Sequence, residues 1–251
     1  MSNKKDIQIM THQILGYPSF DINEKAVNAF YKSGVDFVEL QIPFSDPMSD
    51  GPLFALANQR AIESGVTIRK CLEFIEKIAR TYPIPFLIMT YYNIIYKYGV
   101  ERFIKKCSEI NLYGLIVPDA PFDDAKELFD AGRAAGINII PLATAYTDEE
   151  RFKQIVGAGS GFLYFVPRKG VTGSKTSFDA EVINSIKRAK EMAQMPVAVG
   201  FGIQSREDVN KIVGAADIAV VGSKILKVIE ESGIDALDGF LKQIVTKSIV
   251  G

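Results

Sequence analysis

The chain has 251 residues, of which 47% are hydrophobic and 24% charged, a balance that permits a large buried core and argues against disorder. Its 29 basic and 30 acidic side chains give a formal charge of −1, with no basic stripe for nucleic acid and no apolar run long enough for a membrane span. The N-terminus lacks the apolar core of a signal peptide, so we expect a cytoplasmic protein.

Short apolar runs alternate with amphipathic stretches along the chain, which predicts repeated strand–helix units around a parallel sheet. Each run is brief and mostly apolar, as expected of strands that are covered on both faces. In chain order, the predicted strands are Ile7–Leu15, Phe37–Leu40, Phe86–Thr90, Gly114–Val117, Asn138–Leu142, Phe162–Val166, Val197–Phe201 and Ile218–Val221.

The stretches between these strands place apolar residues at helical spacing. They are Glu24–Ser33, Ile68–Tyr82, Val100–Ile110, Asp123–Ala135, Asp148–Val156, Ala180–Met192, Arg206–Val213 and Asp235–Lys247, with extra helices at Leu56–Gly65 and Ser223–Ser232. Eight such units in 251 residues predict a (β/α)8 TIM barrel, in the α/β class, formed by residues 1–251 as a single domain. An open doubly wound sheet is the alternative.

Two carboxylates are placed where a barrel builds its active site, at or beyond the carboxyl end of a strand. Glu39 lies in the second apolar strand, and Asp50 lies in the turn-rich loop that follows. From the residues alone, Glu39 is equally consistent with an ordinary ion pair to Lys or Arg. Asp50 by itself is more typical of a turn, because it precedes Gly51 and Pro52.

The segment from Glu39 to Pro52 reads Glu-Leu-Gln-Ile-Pro-Phe-Ser-Asp-Pro-Met-Ser-Asp-Gly-Pro, and it resembles the signature of the tryptophan synthase alpha subunit family. Further fragments follow in the family's order. They lie at residues 57–61, 91–93, 117–121, 170–173, 200–203 and 222–223. The resemblance therefore extends over essentially the whole chain, and the ordered set is far more specific than any single glycine-rich fragment.

This resemblance implies a carbon–carbon lyase of tryptophan biosynthesis. The family cleaves indole-3-glycerol phosphate to indole and glyceraldehyde 3-phosphate in a retro-aldol reaction. It implies no cofactor and no metal in this chain. The implied partner is the beta subunit, which carries pyridoxal phosphate, receives the indole and forms an alpha2beta2 heterotetramer with the alpha subunit.

The resemblance also assigns roles near the bond that is broken. It makes Glu39 the general acid–base residue that protonates indole C3, and it makes Asp50 the acceptor of the indole N–H. Tyr164 would orient the carboxylate or the glycerol hydroxyls, and Tyr91 would line the indole pocket. Without the resemblance, both tyrosines are equally consistent with ordinary aromatic residues of the core.

Backbone amides are the expected ligands of the substrate phosphate, because glycine lets the chain approach an anion closely. The matching positions are Gly173, Gly202, Gly222 and Ser223, and Ser223 would also open a short helix whose amides attract the anion. Tight turns are the alternative explanation for these glycines.

The remaining matches concern closure of the site and the partner. The segment from Pro167 to Thr176 resembles the family's mobile loop, in which Thr172 would contact Asp50, although a solvated basic loop is the simpler alternative. Asn58 and Asp119 match positions on the loops that face the partner.

The sequence departs from the family pattern at three positions. His12 stands where an aromatic residue over the indole site is usual, Gln41 stands where glycine is more usual, and Pro167 stands where serine is more common. His12 is the single histidine, so we expect a polar pocket or core residue rather than a catalyst or metal ligand. Cys71 and Cys107 lack metal-site spacing and are expected to be buried thiols.

Two other functions remain open from the sequence. Another phosphate-binding barrel, such as a phosphoribosyl isomerase or an indoleglycerol-phosphate synthase, would share the glycine loops, but the segment from Glu39 to Asp50 argues against it. A catalytically silent relative could instead act only as an activator of the beta subunit. The joint presence of Glu39, Asp50 and Tyr164 argues against that function.

Overall fold

The computed structural model describes residues 7–120, 125–167, 178–200 and 202–245. These residues form a sheet of nine strands in which neighbouring strands pair in parallel. The strands are β1 (Gln8–Ile14), β2 (Phe37–Gln41), β3 (Phe86–Met89), β4 (Gly114–Ile116), β5 (Asn138–Ile139), β6 (Leu142–Thr144), β7 (Leu163–Val166), β8 (Val197–Val199) and β9 (Ile218–Val221).

Helices connect the strands and cover the outside of the sheet. They are α1 (Phe20–Ser33), α2 (Pro52–Glu63), α3 (Ile68–Thr81), α4 (Tyr92–Tyr98), α5 (Val100–Glu109), α6 (Lys126–Ala135), α7 (Glu149–Ala158), α8 (Ala180–Ala193), α9 (Arg206–Ile212), α10 (Ser223–Ser232) and α11 (Leu237–Ile244). Within the described ranges, the helices are too short or too polar to cross a membrane.

The sheet closes on itself through one interrupted strand. Its order is β5-β4-β3-β2-β1-β9-β8-β7-β6, so the two ends of the sheet are consecutive in the chain and separated by Ile140 and Pro141. The N–H of Ile140 donates to Leu115 on one side, and the carbonyl of Pro141 accepts from Tyr164 on the other side. β5 and β6 therefore together occupy one strand position of the barrel. The expected (β/α)8 barrel is confirmed, but Pro141 interrupts a strand that the apolar pattern predicts as continuous.

The barrel interior is filled by side chains from nearly every strand. Met10, Phe37, Leu87, Phe162 and Val220 belong to this inner cluster, and all are less than a tenth exposed. Because side chains alternate along a strand, His12 lies on the same face of β1 as Met10, and Glu39 lies on the same face of β2 as Phe37. Apolar side chains thus fill the barrel interior, and the polar side chains of His12 and Glu39 lie above them, nearer the carboxyl ends of the strands.

The chain turns sharply after β1, and the buried side chain of Asn23 holds this turn. Its Oδ1 accepts from the N–H of Gly16 at 2.6 Å, and its Nδ2 donates to the carbonyls of Ile14 and Tyr17, each at 3.1 Å. Gly16 has φ of +77°, a left-handed conformation that favours glycine. Helix α1 is thereby joined to the end of β1.

Most predicted elements agree with the structure, and the disagreements are local. The short helix predicted after the last strand is α10, with the same bounds, and both cysteines are buried. Burial raises the pKa of Cys71 and of Cys107 to about 12, which keeps both thiols protonated at neutral pH. Helix α4 was not predicted, and α1 and α2 each begin four residues before the predicted helices, at Phe20 and Pro52.

Candidate active site

Glu39 and His12 face each other across the first two strands. They are register partners in the parallel pairing of β1 and β2, and His12 Nδ1 lies 3.2 Å from Glu39 Oε1. Only 3% of Glu39 and 6% of His12 is exposed, so water scarcely reaches the pair. Within the described residues, Glu39 Oε2 has no hydrogen-bond partner. One oxygen of this carboxylate is thus held by the chain, and the other has no such contact.

A buried polar cluster surrounds Asp50. Gln41 Nε2 donates to Asp50 Oδ2 at 2.6 Å, and Asn58 Nδ2 donates to the same oxygen at 3.2 Å. Asn58 Oδ1 in turn accepts from the N–H of Phe44 at 3.1 Å, which joins the loop to α2. Asp50 is therefore more than a turn residue, since its carboxylate lies inside the protein among amide donors.

Tyr164 extends from β7 into the barrel and packs on Gly200. A Cβ at Gly200 would come within 2.1 Å of the Tyr164 hydroxyl, so only glycine leaves room for the ring. Burial, then the negative charges of Glu39 and Asp50, raise the pKa of Tyr164 well above its ordinary value. Its hydroxyl consequently remains protonated at neutral pH, near both carboxylates.

Tyr91 forms a wall of the same region. Its ring stacks on Phe44 with centroids 4.8 Å apart, and its hydroxyl accepts from the N–H of Ser49 at 3.1 Å. Burial and the nearby Asp50 carboxylate raise the pKa of Tyr91. The loop that carries Asp50 is thus packed against a tyrosine that is 1% exposed.

Two glycines and a serine follow the last strands, where phosphate ligands were expected. Gly202 comes after β8 with φ of +84°, and Gly222 directly precedes Ser223, the first residue of α10. A Cβ at Gly222 would lie 3.1 Å from the Phe54 ring and 3.3 Å from the Cβ of His12. Because Gly222 has no side chain, its backbone can lie close to Phe54 and His12.

The other expected site residues lie in different surroundings. Asp119 is exposed after β4, and its Oδ1 accepts from the N–H of Tyr92 at the start of α4 at 2.7 Å. Asn58 was expected to face a partner, but its side chain is fully buried against Asp50 and Phe54. Its amide group therefore lies within the Asp50 cluster rather than on the surface. Thr172 and Gly173 lie outside the described residues.

Comparisons with known proteins identify the family to which this fold belongs. Residues 1–247 match the family model described as tryptophan synthase alpha chain. A tryptophan synthase alpha chain from Syntrophotalea carbinolica is 44% identical over 241 residues, which cover 96% of this chain and 95% of that protein. The alpha chain from Methanocaldococcus jannaschii is 40% identical and covers 92% of this chain and 82% of its own length.

The chain belongs to the tryptophan synthase alpha chain family.

Solved structures from this family have the same fold. A tryptophan synthase structure from Mycobacterium tuberculosis superposes with a TM-score of 0.90 at 30% identity, covering 99% of this chain and 95% of that chain. A structure described as the tryptophan synthase α2β2 complex from Pyrococcus furiosus gives a TM-score of 0.88 at 31% identity, with 96% and 98% covered.

Two of the three expected departures from the family pattern lie beside the two carboxylates. His12 contacts Glu39, and Gln41 donates to Asp50. Burial alone would lower the pKa of His12, but Glu39, with smaller effects of Asp50 and Gln41, raises it above its ordinary value. Burial raises the pKa of Asp50, and its Gln41 and His12 neighbours only partly oppose that effect.

Sequence reasoning missed the aromatic and glycine residues that support these groups. Phe54 stacks on His12 with ring centroids 4.8 Å apart and an interplanar angle of 17°. Phe44 stacks on Tyr91, and Gly200 leaves space for Tyr164. Both phenylalanines flank Asp50 in the sequence, but nothing in their spacing indicates which ring each contacts.

Proposed function

We propose that this chain cleaves indole-3-glycerol phosphate to indole and glyceraldehyde 3-phosphate, as the lyase subunit of a tryptophan synthase. The observation that carries this proposal is the presence of two buried carboxylates, Glu39 and Asp50, at the mouth of a barrel whose sequence matches this family along its length. The chemistry needs two carboxylates, because a proton must reach indole C3 while positive charge develops on the indole nitrogen.

In this proposal, Glu39 performs the proton transfers. Its Oε2 takes the proton of the glycerol hydroxyl next to the breaking bond and supplies a proton to indole C3. Protonation at C3 converts the ring into an electron-accepting indolenine. Electrons from the hydroxyl oxygen then form the aldehyde carbonyl, the carbon–carbon bond breaks toward C3, and indole leaves with its aromatic ring restored. Burial of Glu39 supports this role, since a water-excluded carboxylate exchanges its proton with the substrate rather than with solvent.

Asp50 is proposed to accept the indole N–H through Oδ1. Two amide donors already converge on Oδ2, which orients the carboxylate before substrate binds. The negative charge of Asp50 then stabilises the positive charge on nitrogen more strongly in the transition state than in the bound substrate. The Tyr164 hydroxyl would donate a hydrogen bond that orients a glycerol hydroxyl or Glu39, and the rings of Tyr91 and Phe44 would border the indole.

The phosphate is proposed to bind backbone amides at Gly202, Gly222 and Ser223, with Gly173 from the loop after β7. Helix α10 begins at Ser223, so the positive end of its dipole would face the anion. Thr172 would contact Asp50 when the loop closes over the substrate.

The proposed partner is a tryptophan synthase beta subunit in an alpha2beta2 assembly. The beta subunit would hold the pyridoxal phosphate, and this chain would need no cofactor or metal of its own. Asp119 lies on the surface where it can contact such a partner, whereas Asn58 would act through the Asp50 cluster. We further propose that the chain is one domain and works in the cytoplasm.

The test is release of glyceraldehyde 3-phosphate from indole-3-glycerol phosphate, with and without a beta subunit. We expect cleavage that the beta subunit stimulates and that falls by roughly 10³-fold in Glu39→Gln, because positioned acid–base groups contribute about 10²–10⁴. Glu109→Gln, an exposed change on α5, should leave the rate unchanged. Absence of cleavage even with the partner would leave a phosphate-binding barrel with another reaction or a purely regulatory role.

A further inference from the structure

The imidazole of His12 is fixed from three sides. Phe54 of α2 stacks on one face of the ring, and the Glu39 carboxylate faces Nδ1. Gly222 lies on a third side, where an added Cβ would come within 3.3 Å of the His12 Cβ. The side chain is 6% exposed, so it cannot turn toward solvent without unpacking the wall of the site. A ring held this firmly presents Nδ1 to Glu39 in one orientation.

We propose that His12 is a positioning residue for Glu39 and that the two side chains bind and release protons as one pair. This inference rests on the proposed function and deepens it, because it concerns how the acid–base carboxylate is prepared. The Nδ1–H of His12 donates to Glu39 Oε1. That bond turns Oε2 toward the substrate, where the proton is exchanged.

The state of the pair follows from the groups that surround it. Glu39 on β2 and Asp50 in the following loop are the carboxylates whose charge favours the protonated ring, and the Gln41 amide adds to their effect. Tyr164 on β7 is neutral, since burial and then the charges of those same carboxylates raise its pKa. When the imidazolium loses a proton, the proton departs from Nε2, and the neutral ring keeps Nδ1–H on Glu39.

Two further atoms, His12 Nε2 and the Gln41 side-chain oxygen, bear on the protonation of the pair. Both His12 Nε2 and Gln41 Oε1 are buried, and in the described part of the chain neither has a hydrogen-bond partner. Gln41 Nε2 meanwhile donates to Asp50 Oδ2. The Gln41 side chain favours the charged ring and also contacts the second carboxylate. A phenylalanine at position 12 could stack on Phe54 but could neither hold Glu39 nor carry a proton.

Histidine NMR tests the pair without relying on activity. The chain has one histidine, so ¹⁵N-labelled histidine gives the signals of a single imidazole. We expect its midpoint to fall by at least about 1 pH unit in Glu39→Gln, because burial disfavours the imidazolium once the carboxylate is removed. Glu63→Gln, an exposed change on α2, should leave the midpoint unchanged. Equal midpoints in the wild-type protein and Glu39→Gln would overturn the proposal, whether or not the protein cleaves its substrate.

Steady-state kinetics of the holoenzyme with its beta subunit test the positioning role. In His12→Phe we expect kcat to fall on the order of 10-fold with KM within about twofold, since His12 acts on Glu39 and not on the substrate. The dependence of kcat on pH should also change, because the imidazole that contacts Glu39 has been removed. Adding His12→Phe to Glu39→Gln should cause no further loss.

Two outcomes would contradict this role. An unchanged kcat with an unchanged pH profile would make His12 a packing residue, and a raised KM with unchanged kcat would make it part of the pocket wall. If His12→Phe fails to fold, the NMR comparison still decides, since it needs no change at position 12. Failure of the wild-type protein to cleave indole-3-glycerol phosphate would contradict the proposed function but not the pairing of His12 with Glu39. The midpoint of the His12 titration is measured by NMR and does not depend on cleavage.

Discussion

The Asp50 carboxylate is stabilised by two amide donors and yet remains costly to keep ionised. Its pKa is raised above the ordinary value of 3.8, because burial outweighs the effect of Gln41 and His12. Folding therefore disfavours the charged form, and the protein loses stability as the pH rises from 3.8 through the pKa of the folded state. A group retained despite this cost is typical of a functional site.

Asp50→Asn should accordingly raise the stability of the protein at pH 7 while it lowers the cleavage activity. We expect cleavage to fall by roughly 10²–10³-fold, since a neutral amide cannot offset charge on the indole nitrogen. The midpoint of thermal unfolding should rise at pH 7, and the gain should shrink toward pH 4 as Asp50 of the wild-type protein becomes protonated. Thermal unfolding at both pH values, with the cleavage assay, checks this. A variant less stable than wild type at pH 7 would contradict the argument.

Gly200 limits where Tyr164 can lie. Gly200→Ala would place a methyl group 2.1 Å from the tyrosine hydroxyl and should cost about 1–3 kcal/mol of unfolding free energy while lowering kcat. Gly157→Ala in α7 is the matched control, because its added Cβ meets nothing within 4 Å and should be neutral or stabilising by up to about 1 kcal/mol. Urea unfolding and the cleavage assay measure both effects, and equal behaviour of the two variants would count against the packing described for Tyr164.

At the scale of the element, Asn23 joins α1 to the end of the strand that carries His12. Asn23→Ala would leave the Gly16 N–H and two carbonyls without their buried partner and should cost about 3 kcal/mol. Asn210→Ala, an exposed change on α9, should stay within about 0.5 kcal/mol of wild type. Chemical denaturation gives both values. A loss below 1 kcal/mol at position 23 would mean that water replaces the side chain there.

The elements were predicted from local pattern where that pattern is strong. Short apolar runs bounded by turn residues identify the strands, because a strand covered on both faces must be apolar throughout. The same rule predicts one strand from Asn138 to Leu142, whereas Pro141 divides it, since proline has no N–H to donate to a neighbouring strand. Helix α4 escaped prediction because its seven residues, rich in tyrosine and isoleucine, resemble a strand in composition.

For the candidate site, the sequence indicates which side chains to expect but not how they contact one another. Glu39 and Asp50 could be found because the segment around them has a distinctive order of residues. The contact of His12 with Glu39 depends on the register between β1 and β2, which the alternation within each strand does not encode. The bond from Gln41 to Asp50 likewise depends on how the loop folds back over β2.

At the scale of the whole molecule, the two ends of the barrel carry different kinds of carboxylate. Glu39 and Asp50 lie at or beyond the carboxyl end of β2, whereas Asp217 lies just before the start of β9. Asp217 Oδ2 accepts from the N–H of Val197 at 2.9 Å, and Oδ1 accepts from Lys190 at 2.7 Å. A TIM barrel has its active site at the opposite end, so side chains at this end contribute to stability rather than to chemistry.

Asp217→Asn should therefore show the opposite behaviour to Asp50→Asn. We expect a loss of about 1–2 kcal/mol, because a charge-assisted hydrogen bond and an ion pair are weakened, with cleavage by the folded protein unchanged. Asp238→Asn, an exposed change on α11, serves as the control and should alter neither property. Denaturation and the cleavage assay measure both, and an activity loss larger than the loss of folded protein would argue against this division.

The interruption between β5 and β6 also determines where the backbone can be cut without breaking a strand pair. β5 pairs only with β4, and β6 pairs only with β7, so cleavage of the backbone after Ile140 leaves every strand pairing of the described sheet in place. The fragments 1–140 and 141–251 would meet along β1 and β9, and each alone would expose two open sheet edges. Such half-barrels should self-associate when made separately and recombine into an active enzyme when made together.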